Sequence, residues 1–118
     1  MSLLRSFGFA LEGVSYLIRT QRNARIELAI GAVVLVLAAW LGVTSVEWAV
    51  LVLTIALVLA LEALNTSIEL AVTLASPERQ PRAKAAKDVA AAMVLIGVVA
   101  SVLVGLAVLG PKVTALVS

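Results

Sequence analysis

The chain lacks two residue types that many enzymes use in their active sites. It contains no cysteine, which excludes disulfide bonds and thiolate metal sites, and no histidine, which excludes imidazole acid–base chemistry. Charged residues are also few, at 14% of the 118 residues, whereas 63% of the residues are hydrophobic. This composition is typical of an integral membrane protein.

Three apolar segments are long enough to cross a bilayer, which takes about 20 residues of helix. Residues 28–46 and 89–109 contain no charged residue, and the segment between them, residues 48–75, is interrupted by two glutamates. We predict one all-α membrane domain over residues 1–118, with spans at about 28–46, 48–75 and 83–109.

The ends of these spans carry local helix signals. Thr44 and Glu47 have the spacing of a capping box, which predicts the start of the second spanning helix. Gly110 and Pro111 predict the end of the third, because proline lacks a backbone donor and clashes with the preceding turn.

The N-terminal stretch has a different pattern. Six apolar residues recur at helical spacing on one face: Leu3, Leu4, Phe7, Leu11, Val14 and Ile18. The spacing predicts an amphipathic helix over about residues 3–25. We expect it to lie on the membrane surface; the alternative is a cytosolic helix packed on the protein itself.

Basic residues fall unevenly around the predicted spans. Eight of the nine lie before the first span or between the second and third: Arg5, Arg19, Arg22, Arg25, Arg79, Arg82, Lys84 and Lys87. Only Lys112 follows the third span. The positive-inside rule therefore places the N-terminus and the loop 76–88 in the cytoplasm.

The second span contains polar residues that a passive span would not need. At about 100° per residue, Glu62, Asn65 and Glu69 fall within about 60° of one another, which makes one polar stripe. Glu62 lies roughly 21 Å from Trp48, inside the inner leaflet of a core about 30 Å thick. Such oxygens suit a hard cation such as Mg²⁺, a proton acceptor, or hydrogen bonds that only join helices.

Two features predict a homo-oligomer. Three helices can hardly shield two intramembrane glutamates from lipid on every side, so we expect the stripe to face a neighbouring subunit. Gly97, Ser101 and Gly105 are spaced by four, and small residues at that spacing let helices approach closely.

The stripe and the segment after it resemble a known family. The run ExxNxxxE at residues 62–69, then Ser-Pro-Glu at 76–78 and Ala-Lys-Ala-Ala-Lys-Asp at 83–88, is similar to the prokaryotic diacylglycerol kinase family, which includes undecaprenol kinases. The similarity extends from Phe9 to the end of the third span. It implies a homotrimeric helix bundle in which each subunit has a surface helix and three transmembrane helices.

The resemblance also implies an activity. Members of the family transfer the γ-phosphoryl group of ATP, with Mg²⁺, to a lipid hydroxyl at the cytoplasmic face of the bacterial membrane, in sites shared between subunits. The implied partners are a membrane lipid and ATP, without nucleic acid. The chain has no Walker loop and no protein-kinase signature, so a kinase activity is implied by the resemblance alone.

The matching residues take their implied roles from the family. Glu62 is implied to be the general base toward the lipid hydroxyl, with Asn65 beside it at the reacting centre. Glu69 is implied to bind the metal ion. Lys87 is implied to meet phosphate, and Asp88 to meet the ribose side of the nucleotide.

The segment up to the first span supplies the other candidates. On the nucleotide side these are Arg5, Phe9, Gly13 and Gln21, and on the lipid side Glu27 and Arg25 join Glu62. Gln21 also stands where the family usually has a second metal-binding glutamate. Its amide oxygen can bind Mg²⁺ but compensates less of the charge of the ion. We therefore expect weaker binding of a second metal ion, or reduced activity.

Two other functions fit parts of the sequence. Intramembrane glutamates in a short multi-span chain also suit a proton-coupled transporter, and Gln21 suits a degenerate, non-catalytic family member.

For the lipid, residues 22–26 and 76–78 look more like the undecaprenol kinase branch than the enterobacterial diacylglycerol kinase. Undecaprenol is therefore the expected acceptor, with diacylglycerol as the alternative.

Overall fold

The computed structural model describes residues 2–118, and over these residues the chain forms four α-helices. They are α1 (Leu3–Thr20), α2 (Arg22–Leu41), α3 (Ser45–Ala75) and α4 (Pro81–Val117). The last three are each long and apolar enough to cross a membrane. The protein is therefore all-α, with three candidate membrane-spanning helices.

The N-terminal helix ends earlier than the predicted range 3–25. Gln21 has extended backbone, with φ −110° and ψ 109°, and separates α1 from α2. The guanidinium of Arg25 donates from Nη1 to the backbone carbonyls of Ile18 (2.8 Å) and Arg19 (3.1 Å). Arg25 thus caps the end of α1, where carbonyl groups have no partner within the helix and favour a cation.

The connection between α2 and α3 is short and well capped. α2 ends at Leu41 because Gly42 adopts a left-handed conformation, φ +72°, in which a side chain would be strained. The capping box is confirmed: the Glu47 amide donates to Thr44 Oγ1 (3.2 Å), and the Thr44 amide donates to Glu47 Oε1 (2.9 Å). Val46 consequently belongs to α3 and not to the first spanning helix.

Helix α4 continues past Gly110 and Pro111, so the prediction that these residues end it is wrong. Pro111 removes one backbone donor, but two contacts support the turns that follow. Thr114 Oγ1 donates to the Gly110 carbonyl at 2.9 Å, and Lys112 Nζ lies 3.1 Å from Glu47 Oε1. The ion pair ties the end of α4 to the start of α3, so a tertiary contact overrides the local signal.

The bundle is centred on α3, which packs most extensively on α4 and then on α2. A Cβ atom added at Gly97 would lie 2.5 Å from Leu61 Cδ1, and one at Gly31 would lie 2.9 Å from Ile55 Cγ2. These two glycines therefore let the helices meet closely. Gly105 differs, because an added Cβ would have no neighbour within 4 Å in the described chain.

The buried apolar core is small and lies at one end of the bundle. Ala38, Val43, Leu51 and Leu109 form its buried part. Most large apolar side chains of the three long helices face outward instead. Such a surface suits surroundings of lipid or further chains, and not water.

Candidate functional site

Helix α3 buries three polar side chains near the middle of its length. Glu62 is 1% exposed, Thr66 5% and Asn65 9%. Thr66 is satisfied within the helix, since its hydroxyl donates to the Glu62 carbonyl at 2.9 Å. Glu62 and Asn65, one helical turn apart, are the buried polar groups that this helix does not satisfy.

Glu27 of α2 completes this cluster. Its carboxyl group faces that of Glu62, so residues 35 positions apart in the sequence meet at the crossing of α2 and α3. The expectation that the stripe faces a neighbouring subunit is wrong for Glu62, because α2 of the same chain already covers it. Periodicity along α3 could not reveal this partner.

Each member of the cluster keeps a buried oxygen without a partner. Glu27 Oε2, Glu62 Oε2 and Asn65 Oδ1 accept no hydrogen bond from residues 2–118. The two ion pairs found within residues 2–118 join other side chains, Lys84 with Asp88 and Glu47 with Lys112. A buried acceptor without a donor destabilises a fold by about 1–3 kcal/mol, and more when it is charged. The cluster is thus suited to a donor or cation from outside the chain.

The two predicted metal ligands are not members of this cluster. Glu69, about one helical turn beyond Asn65 on α3, is half-buried and takes part in neither ion pair. Gln21 lies at the corner between α1 and α2, where its amide nitrogen donates to Thr20 Oγ1 at 3.2 Å and leaves its oxygen available. Within residues 2–118 no three acidic side chains come together.

A charged cleft of about 700 Å³ opens between the end of α3 and the start of α4. Its lining includes Arg79, Lys84, Lys87 and Asp88. Asp88 pairs with Lys84 Nζ at 2.6 Å, and not with its neighbour Lys87. Lys84 was not among the predicted site residues, although its spacing of four from Asp88 on one helix face could have indicated it. The cleft has the basic groups that a polyphosphate needs.

The candidate residues on α1 line neither the carboxyl cluster nor the basic cleft within one chain. No residue of α1 is buried, and Phe9 is 58% exposed. Gly13 has no neighbour within 4 Å of an added Cβ. Within one chain, Arg5, Phe9 and Gly13 remain on an open surface. Arg25, the predicted lipid-side residue, is engaged with the carbonyls of α1.

These features together define a class of protein: a small membrane helix bundle with a cluster of two carboxyl groups and an amide between α2 and α3, and with a separate basic cleft between the end of α3 and the start of α4. Comparison with known proteins gives the family. Residues 8–109 match the family model for prokaryotic diacylglycerol kinase, and the chain belongs to this family of lipid kinases. The resemblance carried by the motifs of α3 and α4 is thereby confirmed.

Individual relatives agree with the family match. A diacylglycerol kinase of Synechocystis is 43% identical over 116 residues, which cover 98% of this chain and 66% of that protein. An undecaprenol kinase of Bacillus subtilis is 37% identical over 108 residues, or 92% of this chain and 88% of that protein. A diacylglycerol kinase of Haemophilus influenzae is 30% identical over 94 residues, or 80% of each chain. The relatives thus include kinases named for two different lipids.

Proposed function

We propose that the protein transfers the γ-phosphoryl group of ATP to the hydroxyl group of a membrane lipid alcohol. The observation that carries this proposal is the set of three buried oxygens without partners, on Glu27, Glu62 and Asn65. A hydroxyl group delivered from the bilayer supplies one donor to this set of acceptors, at Glu62. A proton-coupled transporter would also use buried carboxyl groups, but it would not need the basic cleft at the start of α4.

In the proposed reaction Glu62 is the general base. The lipid hydroxyl donates to the Glu62 carboxylate, which takes the proton as the hydroxyl oxygen attacks the γ-phosphorus of ATP. The bond from the γ-phosphorus to the bridging oxygen breaks, and ADP leaves with that oxygen. Asn65 can donate from its amide nitrogen to the hydroxyl oxygen, and Glu27 lies next to the reacting group because it faces Glu62. Phosphoryl transfer depends mainly on positioning and charge neutralisation, so few protein groups are required.

The nucleotide is proposed to bind in the cleft at the start of α4. Lys87, which is free of the Lys84–Asp88 ion pair, meets the phosphates, and Asp88 meets the ribose. Arg5, Phe9 and Gly13 stay exposed on α1 of the same chain. Their exposure supports a homotrimer in which each site is completed by a neighbouring subunit.

Mg²⁺ fits the donors that this chain presents. Glu69 has no competing ion pair and Gln21 keeps a free amide oxygen, and both are hard oxygen ligands. Because Mg²⁺ keeps several waters and binds phosphate oxygens in kinases, the protein needs to supply only one or two ligands. When bound, the ion would neutralise the charge on the transferring phosphates.

The proposed location is the bacterial cytoplasmic membrane, with the N-terminus and the loop 76–80 in the cytoplasm. The distribution of basic residues supports this orientation. The exposed apolar side chains of α1, with Leu4 84% and Leu11 69% exposed, support a helix lying on the membrane surface. Undecaprenol is the proposed acceptor because residues 22–26 and 76–78 resemble the undecaprenol kinase branch. Diacylglycerol is the second candidate, since relatives carry both names.

Labelled ATP supplied with undecaprenol or diacylglycerol in mixed micelles tests the reaction and the lipid together. We expect the parent to phosphorylate at least one of them, and Glu62→Gln to lower turnover by about 10²–10⁴-fold. Ser67→Ala is the matched control, because Ser67 lies on the same helix with its exposed hydroxyl bonded to the Ala63 carbonyl. If the parent binds ATP but turns over neither lipid, the protein is a non-catalytic member and the proposal fails.

A further inference from the structure

The basic cleft contains an ion pair formed by two residues of one helix. Lys84 Nζ lies 2.6 Å from Asp88 Oδ2, and both residues line the cleft. The pair uses one carboxylate oxygen, so Oδ1 of Asp88 is left for a further donor. Lys87, which also lines the cleft, takes no part in this pair. The cleft therefore presents a held carboxylate next to a free ammonium group.

Helix stability does not explain this ion pair. Its side chains are 78% and 62% exposed, and an exposed pair contributes little to the free energy of folding. The order along the helix is the less favourable one, because the basic residue precedes the acidic residue by four positions. Lys84 also lies close to the start of α4, where the helix dipole disfavours a cation. A role in binding accounts better for the position of the pair.

The packing of α4 on α3 sets the depth of the pair in the bundle. Gly97 lies against Leu61, the neighbour of Glu62 in the sequence. Asp88 precedes Gly97 by nine residues, so it lies about 13.5 Å from the level of Glu62 on the side of the loop. Lys84 lies about 6 Å farther in the same direction. A nucleotide with its phosphates toward Glu62 therefore has its ribose on the side where this pair lies.

The free oxygen of Asp88 suits the hydroxyl groups of a ribose. Each ribose hydroxyl can donate to a carboxylate oxygen, and hydrogen bonds to a charged acceptor are stronger than those between neutral groups. Without Lys84, the Asp88 carboxylate would be free to rotate and to pair with Lys87. With Oδ2 held by Lys84, the carboxylate is oriented before the nucleotide arrives, so less conformational freedom is lost on binding.

We infer that Lys84 is a positioning residue for the nucleotide, because by holding Oδ2 of Asp88 it directs Oδ1 to the ribose and keeps Lys87 free for the phosphates. The inference rests on the proposed function, since it needs a nucleotide in the cleft with its ribose at Asp88. Lys84 acts through Asp88 and does not touch the nucleotide. Loss of Lys84 therefore weakens the binding of nucleotides that have ribose hydroxyls and spares those that lack them.

Binding of ATP and of 2′,3′-dideoxy-ATP, which lacks both ribose hydroxyls, tests this role. The Kd of each, with Mg²⁺, is measured on the purified protein in detergent micelles without a lipid acceptor. In the parent we expect ATP to bind about tenfold more tightly than the dideoxy nucleotide. In Lys84→Met the Kd for ATP should rise about fivefold, while the Kd for the dideoxy nucleotide changes by less than about twofold.

Arg82→Met is the matched control for the loss of one positive charge. Arg82 lies two residues before Lys84, is exposed, and does not line the cleft. The control should bind both nucleotides as the parent does. A general effect of net charge on a polyanion would instead weaken binding equally in both variants, and would overturn the inference.

A double variant decides whether Lys84 acts through Asp88. Asp88→Ala removes the ribose contact, so adding Lys84→Met should leave the Kd for ATP within about twofold of that of Asp88→Ala alone. A further rise in the double variant, or an equal rise for both nucleotides in Lys84→Met, would indicate a direct contact with the phosphates and overturn the inference. Unchanged ATP binding in Lys84→Met would overturn it as well.

These measurements are independent of the lipid reaction. A parent that binds the nucleotides as expected but phosphorylates no lipid would contradict the kinase function and leave the role of Lys84 in place. A parent that phosphorylates a lipid but binds ATP and the dideoxy nucleotide equally would overturn the inference and leave the kinase activity in place.

Discussion

Glu27 and Glu62 meet where no basic side chain of the described residues neutralises them. A carboxyl pair buried in an apolar bundle destabilises the fold unless a proton, a cation or a donor reaches it. Asn65 adds a third unsatisfied oxygen in the same place. Folding alone would favour apolar residues at these positions, so the cluster is better explained by the reaction than by stability.

At the same scale, Gln21 leads to a prediction about the metal ion. Gln21→Glu is expected to lower the Mg²⁺ concentration that gives half-maximal activity, because a carboxylate compensates the charge of the ion better than an amide does. A Mg²⁺ titration of the labelled-ATP assay at fixed ATP measures this. Asn23→Asp is the matched control, since it adds the same charge at an exposed position two residues away. An unchanged Mg²⁺ requirement in Gln21→Glu would show that residue 21 is not a ligand.

At the scale of elements, the corner between α1 and α2 depends on one side chain. Arg25 donates to two carbonyls at the end of α1, and Gln21 supplies the extended residue between the helices. The resemblance implied that Arg25 lies on the lipid side of the site. Its contacts favour a different role, in which it fixes the direction of α1 and thereby the position of Gln21.

Substitution of Arg25 separates these two roles. Arg25→Met is expected to destabilise the corner by about 1 kcal/mol and to speed hydrogen exchange in the last turn of α1, because two charge-assisted hydrogen bonds are lost. Arg25→Lys should restore part of the protection, and Arg22→Met, which alters an exposed neighbour, should leave exchange unchanged. A raised KM for the lipid with unchanged exchange would return Arg25 to the substrate site.

At the scale of the whole molecule, the small buried core contrasts with the large apolar surface. The three long helices expose most of their aliphatic side chains, and α1 buries none of its residues. A single chain in water could not be stable with such a surface, which suits surroundings of lipid or further chains.

The orientation of the whole molecule can be measured directly because the chain contains no cysteine. Single cysteines introduced at Gln80 and Ser118 lie at opposite ends of α4. We expect a membrane-impermeant maleimide to label Ser118→Cys from outside spheroplasts, and Gln80→Cys only after lysis, since the basic residues favour a cytoplasmic loop. The opposite labelling pattern would contradict the proposed orientation.

The sequence predicted those parts of the fold that depend on neighbouring residues. Three apolar runs predicted three long helices, and Thr44 with Glu47 predicted a helix start that the structure confirms. The motif of residues 62–69 predicted the family. The ion pair of Lys84 with Asp88 was not predicted, although the two residues are four apart and therefore lie on the same face of α4.

By itself, then, the sequence determined the helical membrane architecture, the polar stripe and the family, because hydrophobicity, capping and motif spacing are properties of adjacent residues. Only the tertiary structure decided that Glu27 faces Glu62, that α4 continues through Pro111, and that the three long helices leave an apolar groove that reaches Glu27. Each of these depends on helices crossing at a particular angle and depth, so that residues far apart in the chain meet. No pattern within one helix contains that information.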